Sequence, residues 1–301
     1  MRLFKIHIPV LMLLAFGFVS HAQQTALFPE YNYNPFIINS AYAGMADGAE
    51  ATLSHYGYLN GIEGNPTTLS FSFHTPVSRD KMALGGAVLQ DKIGVTTSTH
   101  AFAAYSYKIF FDVKRDRPYW QVYNQNVLSF GITAGVRKYS ENLLDLGIYN
   151  DPEFDENINA NIPTVGVGIL YNRASFYLGF SVPNILGDQL ASRDDLRLVN
   201  PFYGYFGYRF FTNHFQEIMI KPSALLKYEA GAPIQIDTNI AVNFKNKFEI
   251  GTGYRSSNSI NFLGGIYALK NLKFVYYYNV GLENSMLGNS HGLVVSCRFS
   301  K

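Results

Sequence analysis

The chain has 301 residues, with 24 Lys+Arg against 22 Asp+Glu and a formal net charge of +2. Charged residues make up only 15% and aromatics 16%, with 22 Tyr and 24 Phe against one Trp, whereas soluble domains carry roughly 25% charged residues. Two of the cations, Arg2 and Lys5, fall in the first 22 residues, so the remainder is neutral overall, which speaks against a nucleic-acid partner.

Residues 1–22 read as a Sec signal peptide. Arg2 and Lys5 are followed by an apolar run from Ile6 to Val19, broken only by His7, and then by Ser20-His21-Ala22 as a small-residue cleavage site. An uncleaved anchor is the alternative reading of the same run. After Ala22 there is no unbroken apolar stretch of about 18 residues, so no transmembrane helix is expected. An exported chain of this kind is either soluble or a β-barrel.

Residues 23–47 form an N-terminal segment that is not strand-like. It holds Pro29, Pro35, Asn32, Asn34 and Asn39 among the aromatics Phe28, Tyr31, Tyr33, Phe36 and Tyr42, and proline and asparagine favour turns over ladders. A disordered lead-in is one reading. The aromatic density points instead to a segment that buries itself, plug-like, in a barrel mouth, because disordered tails are aromatic-poor.

Residues 48–301 alternate. Successive side chains of a strand face opposite sides, and one run after another puts Phe, Ile, Tyr and Val on one face and Gly, Ser, Asn, Lys and Arg on the other. Thr67 to Thr75 sets Leu69, Phe71 and Phe73 against Ser70, Ser72 and His74. Asn126 to Tyr139 sets Leu128, Phe130, Ile132, Ala134 and Val136 against Ser129, Gly131, Thr133, Gly135 and Arg137. Thr164 to Asn172, Ser175 to Val182, Tyr203 to Phe211, Ile218 to Tyr228 and Ile234 to Phe244 repeat the pattern. The final run, Ser290 to Phe299, points Leu293, Val295, Cys297 and Phe299 one way and Gly292, Val294, Ser296 and Arg298 the other. These runs predict an all-β, antiparallel transmembrane outer-membrane β-barrel of about 14 strands. Its last strand would close the ring, because an open sheet edge has no place in lipid. The small and charged face, including Lys221, Lys227, Asp237, Arg255 and Lys273, would line the lumen.

The longest connections, Glu141 to Pro163 and Pro183 to Phe202, follow odd-numbered strands. The short ones, such as Arg173-Ala174 and Lys245 to Lys247, follow even-numbered strands. That is the long-outside, short-inside rule for a barrel with periplasmic termini. Asp112 to Gln125, with Arg115 to Trp120, breaks the rule as a long even-numbered turn. Asp151, Glu153 and Phe154 in the first long loop, and Leu186 and Leu190 in the second, are candidate partner contacts.

No constellation points to chemistry. Asp145, Asp151, Glu153, Asp155 and Glu156 lack the glycine and terminal glutamate of a calcium loop and read as a solvated acidic loop. His55, His74, His100, His214 and His291 have no ligand spacing. Gly166-Val167-Gly168 and Gly251-Thr252-Gly253 lie inside alternating strands with no helix after them, which rules out a phosphate loop. Those glycines are expected to relieve crowding in the barrel or against the N-terminal segment. Single Cys297 excludes an internal disulfide. No catalytic, cofactor or metal residues are expected, and the chain is read as a non-enzyme.

Phe28 to Gly44, FPEYNYNPFIINSAYAG, resembles the opening motif of the PorP/SprF family of Bacteroidetes type IX secretion membrane proteins. Tyr31, Asn34, Pro35, Asn39, Ala41, Tyr42, Ala43 and Gly44 match that motif, with Ser40 in place of a second proline. A second block, Gly61 to Thr68, resembles the family's turn through Gly61, Gly64, Pro66 and Thr68, although the Arg and Trp usual just before it are replaced by Tyr56 and Leu59. Leu89 to Val95 resembles a third. The resemblance implies an outer-membrane barrel that assists secretion or surface anchoring of a cargo protein carrying a conserved C-terminal domain. Its partners would be that cargo, other type IX components and membrane lipid. The alternative is a small-solute, porin-like outer-membrane channel.

Overall fold

The computed structural model describes residues 29–46, 48–59, 64–77, 81–111, 126–148, 151, 154–186, 200–212, 217–256, 259–268, 271–282 and 288–300. The signal segment, Gly61, Glu153, Leu190 and the connection carrying Arg115 to Trp120 lie outside the described residues.

Three short 3₁₀ turns, Pro29–Asn32, Pro35–Ile37 and Ser40–Tyr42, precede the strands. The first half of the wall is β1 (Gly48–Tyr58), β2 (Thr67–Pro76), β3 (Met82–Ile93), β4 (Thr96–Phe110), β5 (Val127–Glu141), β6 (Ile158–Asn172) and β7 (Phe176–Val182). The second half is β8 (Phe202–Tyr208), β9 (Phe210–Phe211), β10 (Ile218–Tyr228), β11 (Gln235–Phe244), β12 (Phe248–Arg255), β13 (Ser259–Ala268), β14 (Leu272–Gly281) and β15 (Ser290–Ser300).

All pairings are antiparallel, and β15 closes on β1 from Gly48↔Ser300 to Tyr58↔Ser290. Fourteen strands make the ring. The two-residue β9 stands outside that count and pairs with β10 alone. Its register, Phe211↔Met219, continues that of β8, Gly207↔Ser223. The break falls where Tyr208 would oppose Pro222, which has no N–H to give the ladder.

The outward face is the apolar one. Phe71, Phe130, Ile132, Phe180, Ile240, Ile250, Phe262, Ile266 and Phe299 are exposed, while Ser54, Ser70, Ser72, Ser106, Ser129, Asp237 and Glu249 are buried. On β5 the outward run from Leu128 to Val136 spans eight steps of about 3.3 Å. At the usual strand tilt it rises about 20 Å, near the lipid-facing band of such barrels. No described helix is long and apolar enough to cross a membrane; the crossing is made by strands.

The wall is uneven. β5 pairs with β6 from Val127↔Asn172 to Glu141↔Ile158, but β6 pairs with β7 only from Val167↔Val182 to Asn172↔Tyr177. Hence Ile158 to Pro163, read from sequence as the end of a long loop, belong to β6. Alternation on that stretch is inverted: Ala160 and Ile162 are buried inward and Asn159 and Asn161 exposed outward. Polar residues on the outer face look like loop in the sequence, because only the register shows that the strand has passed beyond the apolar band.

Candidate functional site: the N-terminal motif segment against the barrel wall

The first motif block lies against inward-facing side chains of the barrel wall. Asn39 is the centre of its contacts. Its Oδ1 accepts from the Ala41 N–H at 2.9 Å, capping the turn Ser40–Tyr42. Its Nδ2 donates to the carbonyls of Ile169 and Phe180 and to the Tyr205 hydroxyl, at 3.0, 3.3 and 3.1 Å. One buried amide thereby ties the segment to β6, β7 and β8. Ser181 donates to the Ile38 carbonyl at 2.6 Å, Ser106 to Ala43 O at 3.0 Å and Lys108 to Gly44 O at 2.7 Å. The Gly44 N–H donates to His74 Nδ1 at 3.2 Å. Gly44 is at φ +64°, where a side chain is strained, and a Cβ there would meet Ala83 Cβ at 2.5 Å.

Close approach explains the small residues opposite. A Cβ on Gly131 would lie 2.3 Å from the Ala41 nitrogen, and one on Gly168 would lie 2.1 Å from Asn39 Oδ1. Gly168 therefore does what was expected of the Gly-Val-Gly run. Gly166 instead meets Pro183, and Gly251 and Gly253 meet neighbours on β11. Phe36 is fully buried between His74 and Phe102, with ring centroids at 5.1 and 5.8 Å. A cavity of about 10 Å³ remains beside Phe36, Ile38, His100 and Phe102, room for about one water.

The other end of the segment is held by charge and hydroxyls on the far side of the ring. Tyr33 donates its hydroxyl to Glu249 Oε1. Glu249 also pairs with Lys221 at 2.6 Å and accepts from Tyr267 at 2.6 Å and Asn243 at 3.0 Å. The Tyr33 ring lies 4.5 Å beneath the Lys273 ammonium and edge-on to Tyr277 at 5.6 Å. Tyr31 accepts from Asn239 Nδ2 at 2.9 Å. Burial pushes the Tyr31 phenol up to about 12, and burial followed by the Glu249 carboxylate raises that of Tyr33. Asn34, nearer the middle, accepts from Ser72 at 3.1 Å, and Pro35 opens the second 3₁₀ turn. Ala41, Tyr42 and Ala43 are buried.

The second and third motif blocks meet at the opposite end of the wall. Gly94 donates its N–H to the Gly64 carbonyl at 2.7 Å, and both glycines have left-handed φ. Thr68 donates to Asp91 at 2.6 Å, and half-buried Pro66 leads into β2. The candidate contact residues stand on separate connections. Phe154 N–H donates to Asp151 O at 3.0 Å after β5, and Leu186 lies in a turn after β7 where its N–H donates to Asn184 Oδ1 at 3.2 Å.

Of the lumen residues read from sequence, Asp237 and Arg255 form a buried two-pronged pair at 2.6–3.0 Å, and Lys227 pairs with Glu229 at 3.2 Å. Glu249, Tyr267 and Asn243 were not singled out in the sequence. An acidic residue on the small-residue face of a strand was the one available signal. Among the described residues, no group of three or more His, Cys, Asp or Glu is placed to hold a metal.

The family model described as type IX secretion system membrane protein PorP/SprF matches residues 20–297. The chain belongs to that family. No curated protein matches it. Among solved structures, this PorP/SprF member is similar to the TodX deltaS2S3 mutant monoaromatic hydrocarbon channel. The TM-score is 0.51 and the identity 11%, over 89% of this chain and 94% of that one. The CymD monoaromatic hydrocarbon channel is similar at TM-score 0.51 and 10% identity, over 89% and 93%. The Acinetobacter baumannii outer membrane protein Omp33 gives TM-score 0.49 and 8% identity, over 85% and 100%. At such identities TodX and CymD bear on the fold alone, an outer-membrane barrel.

Proposed function

We propose that this PorP/SprF barrel assists secretion or surface anchoring of a partner protein carrying a conserved type IX C-terminal domain, with residues 29–46 acting as a plug. In this reading the chain reaches the outer membrane after Sec export and has no catalytic activity of its own. The observation that carries the reading is the bonding of one short segment to opposite sides of the ring, Ala43 and Gly44 to Ser106 and Lys108 on β4 and Tyr33 to Glu249 on β12, with Asn39 tied to β6, β7 and β8 between them. A barrel filled in this way is poorly suited to passing solutes, and a lumen of fourteen strands is too narrow for a folded protein. Work is left to the loops, and the long connections after β5 and β7, with Asp151, Glu153, Phe154, Leu186 and Leu190, are the proposed cargo contacts.

The test is purification of the mature barrel from its native host in mild detergent, mass spectrometry of what accompanies it, and conductance in a planar bilayer. Recovery of a secreted protein with a conserved C-terminal domain, or of other type IX components, together with a silent bilayer, is the expected result. A solitary barrel with steady conductance would instead make it a small-solute channel.

A further inference from the structure

On four adjacent strands the outward face turns from apolar to polar before the strand ends. The last apolar row, aligned by pairing, is Val88, Ala101, Val136 and Pro163. The next outward row is Gln90, Thr99, Lys138 and Asn161, and the one after it is Lys92, Thr97, Ser140 and Asn159. Lys92, Lys138, Asn159 and Asn161 are exposed. Two cations therefore stand among hydroxyls and amides, with no carboxylate in either row. The carboxylates of these strand ends alternate to the inner face, where Asp91 accepts from Thr68 and Glu141 accepts from Thr96. Among the described residues nothing similar occurs across the ring, where Tyr228, Ile236 and Tyr254 keep the outer face apolar to the strand ends.

On each strand the first polar residue follows the last lipid-facing one by a single two-residue step, about 6.6 Å. Strands lie about 4.8 Å apart, which puts the two lysines within reach of one lipid or of two neighbours. At that depth the neighbouring matter is headgroups, and an outward surface of cations and hydrogen-bond donors without carboxylates complements phosphate.

We propose that this face of β3 to β6 binds the phosphate of anionic lipid headgroups in the leaflet at the long-loop end. Lys92 and Lys138 pair with phosphate oxygens, and the Asn159 and Asn161 amides complete the hydrogen bonding. Only the naming of that leaflet as the outer one rests on the orientation inferred above; the cargo role does not enter.

The test uses the full mature barrel in nanodiscs of equal phosphatidylglycerol and phosphatidylcholine, with retained lipids counted by native mass spectrometry after the disc is stripped. The wild type is expected to retain phosphatidylglycerol preferentially, by about fivefold per lysine. The Lys92→Gln/Lys138→Gln double variant is expected to lose that preference. Lys247→Gln, at a turn at the opposite end of the wall, is expected to keep it. Equal retention of the two lipids by the wild type, or an undiminished preference in the double variant, would overturn the proposal. If the double variant keeps its lipid preference but loses a co-purifying protein, the face is a protein contact and the lipid assignment fails.

Discussion

The two ends of the N-terminal segment are held by different physics. From Pro35 to Gly44 the grip comes from close packing against β2 to β8, with backbone groups of the segment answered by Ser106, Lys108 and Ser181. At Tyr31 and Tyr33 it comes from two phenols reaching a buried carboxylate, amide and ammonium groups on β11, β12 and β14. Packing of the first kind fails steeply when a single atom is added. Hydrogen bonding of the second kind fails in small steps, because Glu249 keeps Lys221, Tyr267 and Asn243 when one donor is withdrawn.

The largest effect is expected at the packed end. Gly131→Val drives side-chain atoms into the Ser40–Ala41 backbone and should cost segment docking about 3 kcal/mol. The wall pairs on the other faces of β5 and should stay closed. Protease cleavage within residues 29–46 should rise about a hundredfold for such a loss, while heat-modifiable gel mobility still reports a folded barrel. Gly264→Ala, where an added Cβ meets nothing within 4 Å, should leave both readouts unchanged. Equal behaviour of the two variants would mean that close packing does not hold the segment.

Asn39→Ala removes the cap on Ala41 and the ties to β6, β7 and β8 together, and should cost about 2 kcal/mol. Hydrogen exchange of the Ala41 and Tyr42 amides is the measurement, and loss of protection there ahead of β1 is the expected result.

At the polar end, Tyr33→Phe deletes one hydroxyl but keeps the ring beneath Lys273 and against Tyr277. A cost of about 1 kcal/mol is expected, with Tyr33→Leu costing more because the cation–π contact goes as well. Protease sensitivity of the segment should therefore rank Leu above Phe above wild type. Equal sensitivity of the Leu and Phe variants would deny the ring contact any role.

The effect that is smallest at neutral pH, where it vanishes, is a pH dependence at Tyr31. Its phenol is raised to about 12 from 10, so burial favours the neutral form. The docked state suffers no penalty below pH 10, loses stability as pH climbs from 10 towards 12, and regains it on return. Ultraviolet titration of tyrosinate should show one step near pH 12 that Tyr31→Phe abolishes. If the variant instead lacks a step near pH 10, the Tyr31 end is not buried in solution.

Much of this was readable in the sequence because a barrel wall has a period of two and a bilayer outside it. Leu293, Val295 and Phe299 against Val294 and Ser296 already state which face meets lipid, and the exposure of Leu293 and Phe299 beside buried Val294 and Ser296 bears that out. The motif residues Asn39 and Gly44 were legible as a turn-rich, aromatic run. What they touch was decided by tertiary structure alone, since Asn39 and Ile169 or Tyr33 and Glu249 are brought together by closure of the ring and no local pattern encodes that. The height of the wall was likewise hidden. Asn159 and Asn161 read as loop until pairing with Ser140 and Lys138 shows them to be strand, because alternation reports which face a residue takes, while register alone reports how far along the barrel it stands.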